Sequence, residues 1–229
     1  MRNVQTTILP VIRDWAGGYL VAVTPSGSFA KGTANRSGTD IDLFVSLAHT
    51  TPNTLKEIYD RLFQKMQANG YNPKTQNVSI GVKVSGYSVD LVPGKRQDAF
   101  STDHSLYRRK AGTWTKTNVT THISHVIQGG RAGETRIIKL WRDQKGLDFP
   151  SFYLELTVIA ALAGKYGTLS GNVWTVFHYL RDTFIYARVV DPANTNNIIS
   201  DDLTAAEQLK IKAAAELALT AKTWDQIVK

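Results

Sequence analysis

At 229 residues and 25.3 kDa, the chain can bury a sizeable core, and two small lobes are expected rather than one large domain. Cysteine is absent, which excludes a disulfide framework, a thiolate zinc site and a thiol nucleophile, and suits a reducing compartment. The net charge of +8 and pI near 9.6 suit phosphate-bearing partners such as nucleotides or RNA, although a coat of surface lysines gives the same surplus.

In chain order, MRNVQTTILPVIRDW lacks a signal-peptide pattern. No apolar run approaches the roughly 20 residues that span a bilayer, so a soluble, cytoplasmic protein with no membrane partner is expected. A brief amphipathic segment around Ile8 to Trp15 precedes a β-type run from Tyr19 to Thr24. Ile41 to Leu47 has apolar residues at alternate positions, as a half-buried strand does. Leu55, Ile58, Leu62, Phe63 and Met66 recur at helical spacing behind Thr54 and Glu57, a capping-box pair. Val78, Ile80, Val82 and Val84 alternate strictly, and after Ser85 and Gly86 the run Tyr87 to Val92 reads as the returning strand of a hairpin.

Beyond about residue 120 the patterns are helical only. Glu134 to Lys145 places Ile137, Ile138 and Trp141 on one stripe, and Ser151 to Ala163 is apolar nearly all round, as a central buried helix is. Gly171 to Ala187 is a third helix. Thr204 with Glu207 caps an alanine-rich fourth that reaches about Lys222. The expected fold is α+β, with a mixed-sheet lobe over residues 1–125, an all-helical lobe over 126–229, and a small-molecule cleft between them.

The informative stretch is Gly27-Ser28-Phe29-Ala30-Lys31-Gly32-Thr33, followed by Thr39-Asp40-Ile41-Asp42-Leu43-Phe44-Val45. Side chains on a strand alternate between faces, so Asp40 and Asp42 point one way while Ile41, Leu43 and Val45 point into the core. Two carboxylates that close repel unless a cation sits between them, and magnesium, or manganese, is the hard, oxygen-seeking ion that fits. Asp90, flanked by core-facing Val89 and Leu91, repeats the device on a neighbouring strand. Three acids can then hold two metal ions, the arrangement that activates an attacking oxygen and neutralises a leaving pyrophosphate. Gly27 and Ser28 lie just after the first strand, in a turn made pliable by Pro25, Gly27 and Gly32, whose backbone N–H groups can approach a triphosphate closely. Each piece is weak alone. An Asp-x-Asp is more often a solvated strand face, and a Gly-Ser turn is usually only a turn.

In this order and spacing, however, GSFAKGT, TDID and VDLVP resemble the signature of the DNA polymerase β-like nucleotidyltransferases. Three further segments are similar to one branch, the bacterial cGAS/DncV-like nucleotidyltransferases (CD-NTases) and their relatives the oligoadenylate synthases. They are Gly112 to Asn118 after Val89 to Gly94, like a tryptophan-containing loop; Arg136 to Trp141 with Pro150 to Glu155, like the helical-lobe motif; and Asp191 to Asn194 with Asn196 and Asn197, like the carboxy-terminal signature. The resemblance implies a template-independent enzyme that moves a nucleoside monophosphate from a triphosphate, ATP or GTP, to a nucleotide hydroxyl, releasing pyrophosphate. The product expected is a cyclic or linear oligonucleotide second messenger of antiviral defence. It further implies that Asp40, Asp42 and Asp90 are catalytic and hold two magnesium or manganese ions, that Lys139 and Ser151 bind the donor triphosphate with Gly27 and Ser28, that Phe152 or Tyr153 stacks on a base, and that RNA acts as activator or acceptor. Typical members open with a long helix bridging both lobes. Here the first strand comes too early for one, so that helix is expected to be short or missing, which bears on closing a cyclic product.

Blander readings stand beside these. Ser151 fits a simple helix cap and Phe152 a core position. His122 and His125 have a helical spacing of three but no acid to complete a metal set, and read as structural. Arg108-Arg109-Lys110, with Lys95, Arg96 and Lys116, reads as a solvated face ahead of an RNA path. Two other functions compete: an RNA 3′-end nucleotidyltransferase similar to archaeal CCA-adding enzymes, which would share the acids, and a catalytically silent nucleic-acid-binding or antitoxin-like protein, which would not need them.

Overall fold

The alternating apolar residues around Ile41 and Val82 build a sheet, and the helical stripes around it and beyond it build two cores. A computed structural model describes residues 2–35 and 40–229, so Thr39 of the TDID stretch lies outside the described residues. The chain divides into two compact units, Met1–Ala30 with Arg36–Ile123 and Lys31–Asn35 with Ser124–Lys229.

The first unit carries α1 (Arg2–Ala16), β1 (Leu20–Pro25), the start of α2 (Gly27–Lys31), β2 (Ile41–Leu47), α3 (Leu55–Ala68), β3 (Lys74–Thr75), β4 (Ile80–Val84), β5 (Tyr87–Arg96), β6 (His104–Arg108) and β7 (Thr113–Thr117). The strand order is β1-β2-β5-β4-β3, with β6 paired to the far end of β5 and β7 to β6. β2 and β5 run parallel. One sheet face, formed by Ile41, Leu43, Val45, Ile80, Val82, Val89 and Leu91, packs in a core with Ile8 and Ile12 of α1 and Tyr59, Leu62 and Met66 of α3. The capping box forms at Thr54 and Glu57 as the sequence predicts.

Two elements differ from expectation. The opening helix, expected around Ile8 to Trp15, runs from Arg2 to Ala16 and passes through Pro10; the buried stripe Val4, Ile8 and Ile12 outweighs the local cost of proline. Gly112 to Asn118, expected as a loop, supplies β7, whose Trp114 pairs with Tyr107 of β6. Trp114 is exposed, so the segment carries no alternating apolar pattern from which to read a strand.

The second unit is helical: the end of α4 (Val119–Gly129), then α5 (Ala132–Gln144), α6 (Ser151–Ala161), α7 (Leu169–Asp182) and α8 (Ala205–Leu219). Its core gathers Trp141, Tyr153, Phe177, Phe184 and Ile211, and α6 is buried along nearly its whole length. Between α7 and α8 the chain adds a hairpin, β8 (Val190–Asp191) and β9 (Asn194–Ile198), that the helical patterns did not announce. Asp191 makes it: its carboxylate accepts the Ala193 N–H at 2.8 Å and the Asn197 side-chain amide at 3.1 Å, the local turn that an Asp-Pro pair favours. Among the described residues no helix is long and apolar enough to cross a membrane.

Candidate active site

The GSFAKGT stretch, expected as an open turn, is instead a short helix between two glycines in the left-handed region, Gly27 at φ +58° and Gly32 at φ +71°. Gly32 stands just past the last helical residue, where only a residue without Cβ takes that conformation cheaply. Gly27 is constrained twice. A Cβ there would lie 1.7 Å from Oδ2 of Asp42, and the neighbouring Ser26 N–H donates to the Asp42 carbonyl at 2.8 Å. The helix start is thus fitted onto the acid of β2, with the half-buried Ser28 following it.

Asp42 and Asp90 are register partners across the parallel β2 and β5, and Asp40 stands exposed just before β2. Register partners point to the same face of a sheet, so the carboxylates lie on the side opposite the core. The electrostatic consequence is plain at Asp90, whose carboxyl is pushed up to about 6 by burial first, then by the charges of Asp42 and Asp40.

One group opposes that rise. The Gln76 side-chain amide donates to Oδ1 of Asp90 at 2.8 Å. Its own oxygen accepts from the Ser79 hydroxyl at 2.7 Å, and its backbone carbonyl accepts from the Arg109 Nε at 3.1 Å. The hydroxyl of buried Tyr59 lies 2.9 Å from both the Gln76 and Ser79 carbonyls. Gln76 is therefore a fixed partner of Asp90, and sequence reasoning missed it because the two-residue β3 beside it carries no periodic signal.

Among the described residues no three acid, histidine or cysteine side chains are drawn into a single ligand set. The chemistry still fits a divalent cation of the magnesium kind. The donors on this face are carboxylate oxygens, which such hard ions take, and the strain on Asp90 is one that a cation relieves.

In the second unit, Glu155 of α6 is 1% exposed and binds two lysines. Its Oε2 accepts from the Lys31 Nζ at 2.8 Å, and its Oε1 from the Lys139 Nζ at 2.7 Å and the Thr33 hydroxyl at 2.6 Å. Lys139, itself 4% exposed, also donates to Thr33 at 3.0 Å. Burial alone would raise Glu155, but the two ammonium groups outweigh it and hold the carboxyl below its ordinary value. Lys139 is also held below its ordinary value: burial first, with the charges of Lys31 and Arg142, outweighs the pull of Glu155. One carboxylate shared by two ammonium groups leaves a surplus of positive charge.

Lys139 thus stands inside the unit, hydrogen-bonded through its ammonium group. Ser151 is exposed as the first residue of α6, one past the cap position, which Pro150 holds; its hydroxyl accepts from the Arg142 guanidinium at 2.9 Å. Phe152 is half-buried, with the Lys31 Nζ 4.3 Å from its ring centre, a cation–π contact. Tyr153 is fully buried against Phe149 and Phe184 and offers no face for a base. Lys31, Glu155 and Arg142 were not singled out from the sequence. Lys31 and Glu155 sit inside quoted motifs, but their pairing across 124 residues leaves no local trace.

The chain is similar to known nucleotidyltransferases. A family model described as a nucleotidyltransferase domain matches residues 11–96. The cyclic AMP-AMP-AMP synthase of Escherichia coli (strain MS 115-1) is 25% identical over 225 residues, covering 87% of this chain and 70% of that protein. The solved structure of E. coli MS115-1 CdnC with ATP superposes with a TM-score of 0.76 at 23% identity, covering 99% of this chain and 88% of that one. That of Elizabethkingia meningoseptica CdnE, a cyclic dinucleotide synthase solved with GTP and Apcpp, gives 0.76 at 16% identity, covering 96% and 92%. These likenesses establish the fold: a mixed-sheet lobe followed by a helical one.

Proposed function

We propose, from a chain that carries a nucleotidyltransferase domain homologous to those of the cGAS/DncV-like enzymes, that it joins nucleotides into a cyclic or linear oligonucleotide signal. It takes a nucleoside triphosphate, releases pyrophosphate and attaches the monophosphate to a hydroxyl of a second nucleotide. The nucleotides named with the two solved relatives, ATP and GTP, favour those as donors. The observation that carries this reading is the facing of Asp42 and Asp90 across parallel strands, with Asp90 pushed to about 6.

Asp40, Asp42 and Asp90 are the residues that would hold a pair of magnesium or manganese ions, whose charge lowers the pKa of an attacking hydroxyl and neutralises the departing pyrophosphate. Asp90 is the acid assigned to help take the proton of that hydroxyl, because it stands on the neighbouring strand opposite Asp42. The hydroxyl oxygen bonds to the α-phosphorus of the donor, the bond from that phosphorus to the β-bridging oxygen breaks, and pyrophosphate leaves with the electron pair. Gly27 keeps Asp42 in place and Ser28 serves the donor phosphates. Ser151 is assigned to phosphate binding: Arg142 donates to its oxygen, which leaves its own proton to be given to an anion. Lys139 contributes with Lys31 through the surplus charge around Glu155, and Phe152 is assigned to the donor base.

The purified chain, given each triphosphate singly and mixed, with magnesium or manganese, with and without RNA, should yield oligonucleotides resolved by mass, with pyrophosphate in equal amount. Lengthened RNA in place of free oligonucleotides would reassign the acceptor to RNA, and no consumption of any triphosphate would end the reading.

A further inference from the structure

We infer that Gln76 is a positioning residue of the acid face: its amide occupies one oxygen of Asp90, leaves the other to a cation, and so tunes the face to magnesium over calcium. This rests on the reading of that face as a divalent-cation site and says how the chain selects the ion.

A row of register partners crosses four strands: Asp42 of β2 opposite Asp90 of β5, Asp90 opposite Gly81 of β4, and Gly81 opposite Lys74 of β3. Directly paired residues share a face. Gln76 stands two residues beyond Lys74, just past the two-residue β3, and so turns to the same face as Asp90. Glycine inside a strand weakens it and persists where the backbone needs a positive φ or where something must approach closely. Gly81 is not among the residues with positive φ, so space is the reason. A Cβ there would stand 3.1 Å from the Gln76 Nε2 and 3.3 Å from the Asp90 Oδ1; the glycine keeps clear the gap across which amide and carboxylate meet.

Gln76 is exposed, yet every polar group it carries is engaged. Beyond the side-chain bonds to Asp90 and Ser79, its backbone N–H donates to the Ser79 carbonyl at 3.0 Å. Its carbonyl is met by the Tyr59 hydroxyl and the Arg109 Nε. Arg109 is itself held, its N–H donating to the Asn77 carbonyl at 2.8 Å. Fixing a glutamine side chain costs about 1.5–2 kcal/mol, as much as a net hydrogen bond returns, so stability alone gives little reason to build this arrangement. Convergence of α3, β4 and the β6–β7 tip on one exposed amide is how a functional side chain is supported from behind.

The direction of the amide is set as well. The Ser79 proton goes to Oε1; turned over, the amide would set its oxygen against the carboxylate. Oδ1 of Asp90 is therefore committed, and among the described residues Oδ2 accepts no hydrogen bond. Calcium readily takes both oxygens of one carboxylate, whereas the smaller magnesium keeps a strict octahedron and takes one. An Asp90 held by Gln76 offers one. An Asp90 released from it can turn and offer both.

The test is a manganese titration of the full chain with a non-hydrolysable triphosphate, read by water-proton relaxation, with magnesium and calcium as competitors. Gln76→Met keeps the length of an exposed side chain and removes its donor; Ser79→Ala removes only the bond that aims the amide. Gln76→Met should weaken manganese and magnesium about 10–100-fold, the usual worth of a group that orients a metal ligand, and calcium by less. Ser79→Ala should move both in the same direction by a smaller factor, and it carries the test alone if Gln76→Met does not fold. Unchanged ion affinity in the folded variants, even with stability lost in denaturant melts, would overturn the inference, because a merely structural contact gives that result. Equal weakening of magnesium and calcium would overturn it too. A wild-type chain that takes up no divalent ion removes the functional reading and this inference with it.

Discussion

The acids of β2 and β5 and the ions around Glu155 are both clusters of charge, held in opposite ways. On the sheet, Asp40, Asp42 and Asp90 repel one another, and the donor that steadies Asp90 is the neutral amide of Gln76. Around Glu155 each carboxylate oxygen meets an ammonium group and a threonine hydroxyl completes the set. A buried charge is tolerated when it is paired and hydrogen-bonded. The Glu155 cluster meets that condition with opposite charges of its own; on the acid face the charges that raise Asp90 are those of further acids, and a gathering of like charges is the mark of a site completed by something else.

Substitutions can break that contrast, starting where the effect is largest. Asp42→Asn should cut the rate of pyrophosphate release by about 10⁴-fold, because charge stabilisation by bound metal is worth several kcal/mol, with circular dichroism unchanged. A loss below tenfold would mean that the acid face is not the reacting one.

Glu155→Ala leaves two ammonium groups buried without a counter-charge, and denaturant melts should show about 3–5 kcal/mol of lost stability. Lys139→Met leaves Glu155 paired with Lys31 and should cost less. Equal costs would show that the cluster does not act as a shared ion set.

Gly27→Ala places a Cβ on the Asp42 carboxylate and a side chain in the left-handed region. Shifting the acid by an ångström should lower turnover about 10²-fold, while the left-handed Cβ costs about 1–2 kcal/mol of stability and so lowers the melting temperature by only a few degrees. A variant that turns over normally would show that Asp42 has slack.

The smallest effect concerns pH. Asp90 titrates near 6 in the folded chain against 3.8 ordinarily, so between those values the folded state binds the proton more tightly. Below about pH 4 the group costs nothing, and stability declines as pH rises through about 6. In chelator, Asp90→Asn should remove that decline and gain about 1–2 kcal/mol at about pH 7, the shift being discounted for the side chain's partial solvation. Magnesium should restore the wild-type chain in the same window. A wild-type stability flat from about pH 4 to about pH 7 would contradict the repulsion.

Much of this was legible in the sequence because it is local. Alternation at Ile41 to Val45 and at Val89 to Leu91 tells which face an acid takes, and Thr54 with Glu57 announces its helix. What alternation cannot give is register between strands far apart in the chain: that Asp42 meets Asp90, and that the row runs on through Gly81 to Lys74, depends on pairing across β2, β5, β4 and β3. Lys139 shows the same limit. Its spacing on α5 fits a surface lysine or a buried one, and only the long-range arrival of Glu155 and Thr33 decides. The β8–β9 hairpin was hidden because its Asn-Thr-Asn-Asn run is polar on both faces.

The most direct test is a manganese titration followed by electron paramagnetic resonance, with and without a non-hydrolysable triphosphate, on the wild-type chain and on Asp42→Asn with Asp90→Asn. Saturable manganese binding that tightens with nucleotide and vanishes in the double variant is the predicted result. Binding that survives loss of both acids, or a wild-type chain that takes up neither ion nor nucleotide, would contradict it.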